Sequence, residues 1–233
     1  MFGLNVCSTY EEVCRNAFEQ VVLSVGKNPK ALICVATGES PIGVYRLFPE
    51  HSELFRNIKI LKLDEWGGIK PNDPSTCETY IKANIIQPLG INDKQLLGFR
   101  SDAGNPEDEC ERIKSLISQY NGIDVCILGV GVDGHIGLNF PADTIIPEAH
   151  IVPAHYLTHS MLNKAQEKPT HGYTLGFKEI LNSKEIILIV KGTSKKETLK
   201  LLLKGEITTH FPASLLLLSK NFTVYCDKDA YGE

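Results

Sequence analysis

The chain has 233 residues, a formal net charge of −4, and 42% hydrophobic against 22% charged residues. This is the mix of an ordinary globular protein and excludes disorder, which needs low hydrophobicity with high net charge. Acidic and basic residues are interleaved, without the basic stripe of a nucleic-acid binder, and no apolar run approaches the roughly 20 residues that span a bilayer.

The predicted elements alternate between helices and buried strands. Thr9-x-x-Glu12 is a capping box that opens a helix over Glu11–Val25. Ala31–Ala36 (ALICVA) and Ile58–Leu63 (IKILKL) follow as strands. A second box, Ser75-x-x-Glu78, precedes a helix over Thr79–Ile86, and Asn105-Pro106 starts one that runs through Cys110–Tyr120. Asp124–Val130 (DVCILGV) is the next strand. Asn139–Thr170 is irregular, with four prolines, three histidines and a short helix around His159–Gln166. Such long segments tend to be lids or binding loops. Glu185–Val190 (EIILIV), a helix over Lys195–Lys204 opened by Ser194, and Phe222–Cys226 (FTVYC) complete the chain.

The strands are rich in Ile, Leu and Val without clean polar alternation, as expected where both sheet faces are covered. The pattern implies an α/β fold: a single domain over residues 1–233 with a mostly parallel sheet and helices on both faces. The seven cysteines form no CxxC pair and no zinc spacing. With no signal-peptide layout in Met1–Thr9, they read as reduced thiols of a cytoplasmic protein.

Three segments can carry chemistry. Ala36-Thr37-Gly38-Glu39-Ser40-Pro41 lies between a strand and a helix, where open α/β sheets bind ligands. Gly38 permits close backbone approach, Thr37 and Ser40 add hydroxyls, and free N–H groups at the helix start favour phosphate. An ordinary strand–helix turn with a Ser cap is the equal alternative. Leu63-Asp64-Glu65-Trp66-Gly67-Gly68 ends another strand. Two adjacent carboxylates cannot both be buried without partners, so at least one should face a cleft or a cation. A carboxylate there suits a general base, unless it caps a helix or pairs with a lysine. The third segment, Gly129-Val130-Gly131-Val132-Asp133-Gly134-His135-Ile136-Gly137-Leu138-Asn139, places a histidine in a glycine-rich turn after a strand. There His135 becomes a proton-transfer candidate with Asp133 to orient or charge it. No second ligand sits at helical spacing to favour a metal.

In this order, VATGESP, KLDEWGGI with STCETY, IIQPLGI, DVCILGVGVDGHIGLN, YTLGFKEIL and FPASLL resemble the hexosamine-6-phosphate isomerase/deaminase family, most of all its galactosamine-6-phosphate branch. Its relative, 6-phosphogluconolactonase, shares the fold. The resemblance implies a Rossmann-like domain and a small sugar-phosphate substrate, with no metal or organic cofactor, and leaves a homo-oligomer open. It implies phosphate binding by Thr37, Gly38, Glu39, Ser40 and Lys195, a general base at Asp64 that moves a proton between C2 and C1, and ring opening assisted by Asp133 and His135. An aldose 2-amino-6-phosphate would become a ketose 6-phosphate with release of ammonia.

Two departures stand out. Where the deaminases carry Asn-Glu-Pro, the Glu completing a ring-opening relay, this chain has Asn139-Phe140-Pro141, similar to the lactonase branch. Asp143 and Glu148 are the nearby substitutes. Where the family's arginine grips phosphate, Lys164 falls at about that place and would act as a point charge. Three readings follow: an amino-sugar 6-phosphate isomerase/deaminase, a lactonase-like hydrolase using His135 to activate water, and a sugar-phosphate sensor that has lost the relay.

Overall fold

The computed structural model describes residues 2–157 and 160–232. The ten strands among these residues are β1 (Gly3–Cys7), β2 (Leu32–Val35), β3 (Lys59–Lys62), β4 (Asp64–Gly67), β5 (Leu96–Leu97), β6 (Val125–Leu128), β7 (His150–Pro153), β8 (His171–Thr174), β9 (Ile186–Val190) and β10 (Phe222–Asp227). Seven form one sheet in the order β1-β10-β9-β6-β2-β3-β5, parallel throughout. The other three form a small antiparallel sheet, β4-β8-β7.

The five expected strands are present, each with ends trimmed or extended by a residue or two. β2, β6 and β9 are buried along their whole length, which is why they read as apolar runs. Their side chains alternate between two cores. Leu32, Cys34, Cys126, Leu128, Ile186 and Leu188 join one, covered by the helix Pro106–Gln119 through Cys110, Ile113 and Ile117. Ile33, Val35, Val125, Ile127, Ile187 and Ile189 join the other, under the helix Tyr10–Lys27. Each such aliphatic side chain contributes about 1.5–3 kcal/mol on burial. Helices therefore cover both faces, as the α/β pattern requires.

Five strands escaped the hydrophobic pattern for one reason: they are short or polar. β4 reads DEWG, β7 HIVP and β8 HGYT, and edge strand β1 leaves Leu4 exposed. β7 lies inside the stretch expected to be irregular. The expected helix around His159–Gln166 is only a 3-10 turn over Ser160–Lys164, and His159 lies outside the described residues.

Helix caps refine the sequence reading. Thr9 accepts from Glu12 N–H as expected, while the Glu12 carboxylate reaches back to Ser8 N–H. Asn105 caps its helix, with Pro106 in the first turn. The second box is displaced: Thr76, not Ser75, caps the helix Cys77–Ile81, which runs into a π-helical turn at Lys82–Ile86. Ser75 is diverted because its hydroxyl and N–H both donate to Asp73. Ser194 is no cap either; it lies within a 3-10 turn, Thr193–Lys195, ahead of the helix Lys196–Leu203.

From β2 the chain proceeds outward to β3 and β5, then returns to place β6 on the other side of β2 and continues to β9 and β10. The order thus reverses between β2 and β6. Crevices at the carboxyl ends of strands beside such a reversal are where open α/β sheets bind ligands. No helix among the described residues is long and apolar enough to cross a membrane.

Candidate active site

A cavity of about 700 Å³ opens at this reversal. Its walls are Ala36–Pro41 after β2, Leu63, Asp64 and Trp66 where β3 gives way to β4, Gly129–Val132, His135 and Gly137 after β6, and Lys195 after β9. Four neighbouring strand ends thus deliver the three sequence segments and one lysine to one space. Phe140 and Tyr156 add an aromatic side.

The loop Thr37–Ser40 is held from behind by three tyrosines. Tyr45 donates its hydroxyl to Ala36 O at 2.8 Å and Tyr80 to Gly38 O at 2.7 Å. Tyr10 donates to Ser40 O at 2.8 Å, with Glu39 O at 3.2 Å, and accepts from Gly43 N–H. In a trans peptide each carbonyl points opposite the next residue's N–H. Anchoring these carbonyls therefore turns the N–H groups of Thr37, Glu39 and Ser40 the other way, and none of them donates to a protein acceptor among the described residues. Successive free N–H groups make an anion-binding concavity. Gly38 sits at φ 113°, a conformation that a side chain would strain. The expected helix-start contribution is small, because the following helix, Ile42–Tyr45, is a single turn.

Glu39 contributes backbone only: its carboxylate is exposed, 3.9 Å from Lys191 Nζ. Lys191, which sequence reading passed over, also lies over the Tyr10 ring at 4.3 Å. Lys195 lines the cavity, and burial pulls its ammonium below the ordinary value against the opposing pull of Asp133. Lys164 is not brought to the cavity; it is exposed at the end of its 3-10 turn.

Both carboxylates of the Asp64-Glu65 pair are buried, and they have opposite surroundings. Glu65 accepts from Lys62 Nζ at 2.8 Å and from the N–H groups of Trp66, Cys77 and Glu78 at 2.8–2.9 Å. Lys62 is itself buried; burial pulls its ammonium down, but Glu65 and Glu78 outweigh this and hold it above its ordinary value. Asp64 faces the cavity, and its side-chain donor is the thiol of Cys77 at 3.6 Å. Burial, then the charge of Glu65, push the Asp64 carboxyl from its ordinary 3.8 to about 7, against the smaller pulls of Cys77 and Lys62. A buried carboxyl raised in this way at a cavity wall marks out a candidate proton-transfer group.

The glycine-rich turn forms the second chemical group. His135 Nδ1 lies 2.7 Å from Asp133 Oδ1, which also accepts from His135 N–H at 3.2 Å. A Cβ on Gly131 would stand 2.1 Å from His135 Nδ1, so the pair requires glycine there. Asn139 pins the end of the turn by donating to Ile136 O and Leu175 O. With Nδ1 committed to Asp133, Nε2 is the nitrogen for proton exchange.

Phe140 packs beside the imidazole, ring centroids 5.0 Å apart, and stacks on Tyr156. Neither of the two named substitutes reaches the pair. Glu148 is engaged by Lys114 and Lys178, while Asp143 is exposed near His210. No group of three or more His, Cys, Asp or Glu side chains among the described residues could hold a metal ion.

Residues 7–225 match the family of glucosamine-6-phosphate isomerases/6-phosphogluconolactonase. The chain is 38% identical over 225 residues to a protein of Escherichia coli K12 named "Putative deaminase AgaI", covering 94% of this chain and 89% of that one. It is 32% identical to a glucosamine-6-phosphate deaminase of Thermoanaerobacter sp., with coverages of 95% and 90%. A solved monomeric glucosamine-6-phosphate deaminase superposes with a TM-score of 0.88 at 31% identity, over 99% of each chain. A 6-phosphogluconolactonase from Thermotoga maritima shares the fold, with a TM-score of 0.76 at 18% identity over 97% of this chain and 99% of that one. The chain belongs to the glucosamine-6-phosphate isomerase/6-phosphogluconolactonase family, among its isomerase/deaminase-type enzymes.

Proposed function

We propose that this enzyme converts a 2-amino-2-deoxyhexose 6-phosphate, of the galacto configuration, to the ketose 6-phosphate and ammonia. The observation that carries the reading is the state of Asp64: a buried carboxylate at the cavity wall, poised near neutrality, with a cationic partner only for its neighbour Glu65. A base in that condition can take a proton next to a carbonyl or imine and return it one carbon away. In the proposed reaction, His135, steadied by Asp133, moves a proton between the ring oxygen and the anomeric hydroxyl to open the sugar. Asp64 then carries the C2 proton to C1, and water adds to the resulting C2 imine to release ammonia. Thr37, Gly38, Glu39 and Ser40 bind the phosphate through backbone N–H groups and hydroxyls, with Lys195 as a point charge. Binding energy from that remote phosphate aligns C1 and C2 on Asp64. Lys164 would join only if its segment moved inward.

The galacto assignment rests on the sequence resemblance alone, and the 38% identity to AgaI supports the deaminase type without fixing the sugar. Phe140 supports a second reading, lactone hydrolysis with His135 activating water, because it replaces the relay carboxylate with a ring packed on the imidazole. Incubation with galactosamine 6-phosphate, glucosamine 6-phosphate and 6-phosphogluconolactone, following ammonia release and lactone loss, separates the two. Ammonia from galactosamine 6-phosphate in preference to glucosamine 6-phosphate is the expected result. Lactone loss without ammonia would overturn it, and binding of all three without turnover would overturn both readings.

A further inference from the structure

Cys77 occupies a position that the chemistry above does not use. Glu65 accepts from the backbone N–H groups of Cys77 and Glu78, at 2.8 and 2.9 Å, and so fixes the first turn of the helix Cys77–Ile81. That turn carries the Cys77 side chain, 1% exposed, into the space between two parts of the site. Its Sγ stands 3.6 Å from Asp64 Oδ1 on one side and 3.8 Å from Thr37 Oγ1 on the other. These are sulfur hydrogen-bond distances, and the thiol is the one side chain among the described residues that bridges Asp64 and the Thr37–Ser40 loop.

We infer that Cys77 is a positioning residue for the reaction: its S–H donates to Asp64 Oδ1, fixing the carboxylate so that Oδ2 is presented to the substrate, and ties that carboxylate to Thr37 of the phosphate loop. The inference rests on the reading of Asp64 as the base. Burial, followed by the charges of Glu65 and Asp64, holds the thiol well above its ordinary value, so it remains a proton donor. A donor to an anion favours the ionised form. The other titratable groups facing Asp64 are Glu65 beside it, Lys62 from β3 and Cys34 from β2, with His135 on the same cavity. Of these, Glu65 opposes ionisation and Lys62 supports it from behind. Cys77 is the group that contacts the carboxylate directly.

The test is the pH profile of kcat/KM for ammonia release in wild type, Cys77→Ala and Cys77→Ser, with Asp64→Asn as reference, on whichever of galactosamine 6-phosphate and glucosamine 6-phosphate the wild type turns over. Cys77→Ala removes a donor from the ionised base, so its acidic limb should move up by about half a unit to one unit. The variant would then run roughly three- to tenfold below wild type on that limb, and the deficit would close above it, where both bases are ionised. Cys77→Ser keeps a donor, and its limb should lie nearer to wild type; it also carries the test if the alanine variant does not fold. A deficit equal at every pH, or an unmoved limb with Asp64→Asn inactive, would overturn the inference and leave the base assignment standing. Ammonia release surviving Asp64→Asn would overturn both.

Discussion

Asp64→Asn separates catalysis from stability. The folded protein keeps a proton on Asp64 that the unfolded chain sheds, because burial and Glu65 move this carboxyl from 3.8 to about 7. Between those values the folded state binds more protons, so stability falls as pH rises through the interval and stays lowered above it. Three pH units at about 1.36 kcal/mol each give an upper figure of about 4 kcal/mol. Local relaxation and water entry reduce this to about 2–4 kcal/mol. Asparagine keeps the shape and an oxygen for Cys77 but carries no charge to desolvate. The variant should therefore be more stable than wild type by about 2–4 kcal/mol near pH 8, an advantage that shrinks steadily toward about pH 4. For a chain of this length that is a rise in Tm of roughly 5–12 °C. Urea unfolding of both proteins across this pH range measures it, and titrating groups not coupled to Asp64 cancel in the comparison. The same variant should lose ammonia release by about 10²-fold or more. A stability difference independent of pH would refute the account of a carboxylate held ionised at a cost.

Asp133→Asn removes the charge beside His135 and offers Nδ1 an amide that can donate as well as accept, so the tautomer is no longer fixed. It should lower kcat by about 10–100-fold with little change in KM, since the pair is partly exposed. Tyr10→Phe and Tyr80→Phe each release a carbonyl of the Thr37–Ser40 loop. Each should raise KM by about two- to tenfold, and weaken competitive inhibition by inorganic phosphate in parallel, while kcat stays near wild type. Lys62→Met leaves Glu65 and Glu78 without their shared buried cation and should destabilise the fold by about 3–5 kcal/mol by urea unfolding. An unchanged midpoint would mean that the backbone donors alone satisfy Glu65.

The central strands were legible because they are buried on both faces, and three of the site's parts were legible because they stand at the ends of such strands. The pattern of an apolar run ending in a glycine- or acid-bearing turn made Thr37–Ser40, Asp64 and His135 candidates, while leaving an ordinary turn or a helix cap open at the first two. The fold brings all three to one cavity. What the sequence concealed was long-range. Tyr10 and Tyr80 meet the loop across separations of 30 and 42 residues, and nothing local distinguishes them from core aromatics. Cys77 sat within a recognised motif, yet its contact with Asp64 depends on a cap shifted from Ser75 to Thr76. The small sheet was hidden because strands reading DEWG and HGYT have no apolar run to detect. Lys164 shows the reverse case: its place along the chain suggested a phosphate ligand, and it stands exposed at the end of a 3-10 turn, outside the cavity lining.

The position of Asp64 follows from a change of sheet. β3 pairs in parallel with β2 as far as Lys62, and one residue later the chain enters β4, paired antiparallel with β8. Leu63 is the hinge, donating its N–H to Val35 O in the large sheet and accepting from Leu175 N–H beside the small one. A strand that continued straight would have kept its neighbours' hydrogen bonds and ended in solvent. By switching partners, the chain carries an acidic pair into the seam between two sheets, where water is scarce and charge is expensive. The seam tolerates this because Glu65 draws in Lys62 and three backbone N–H groups, which leaves little for Asp64 beyond a thiol. The well-served carboxylate thus anchors the structure, and its poorly served neighbour remains available for a proton.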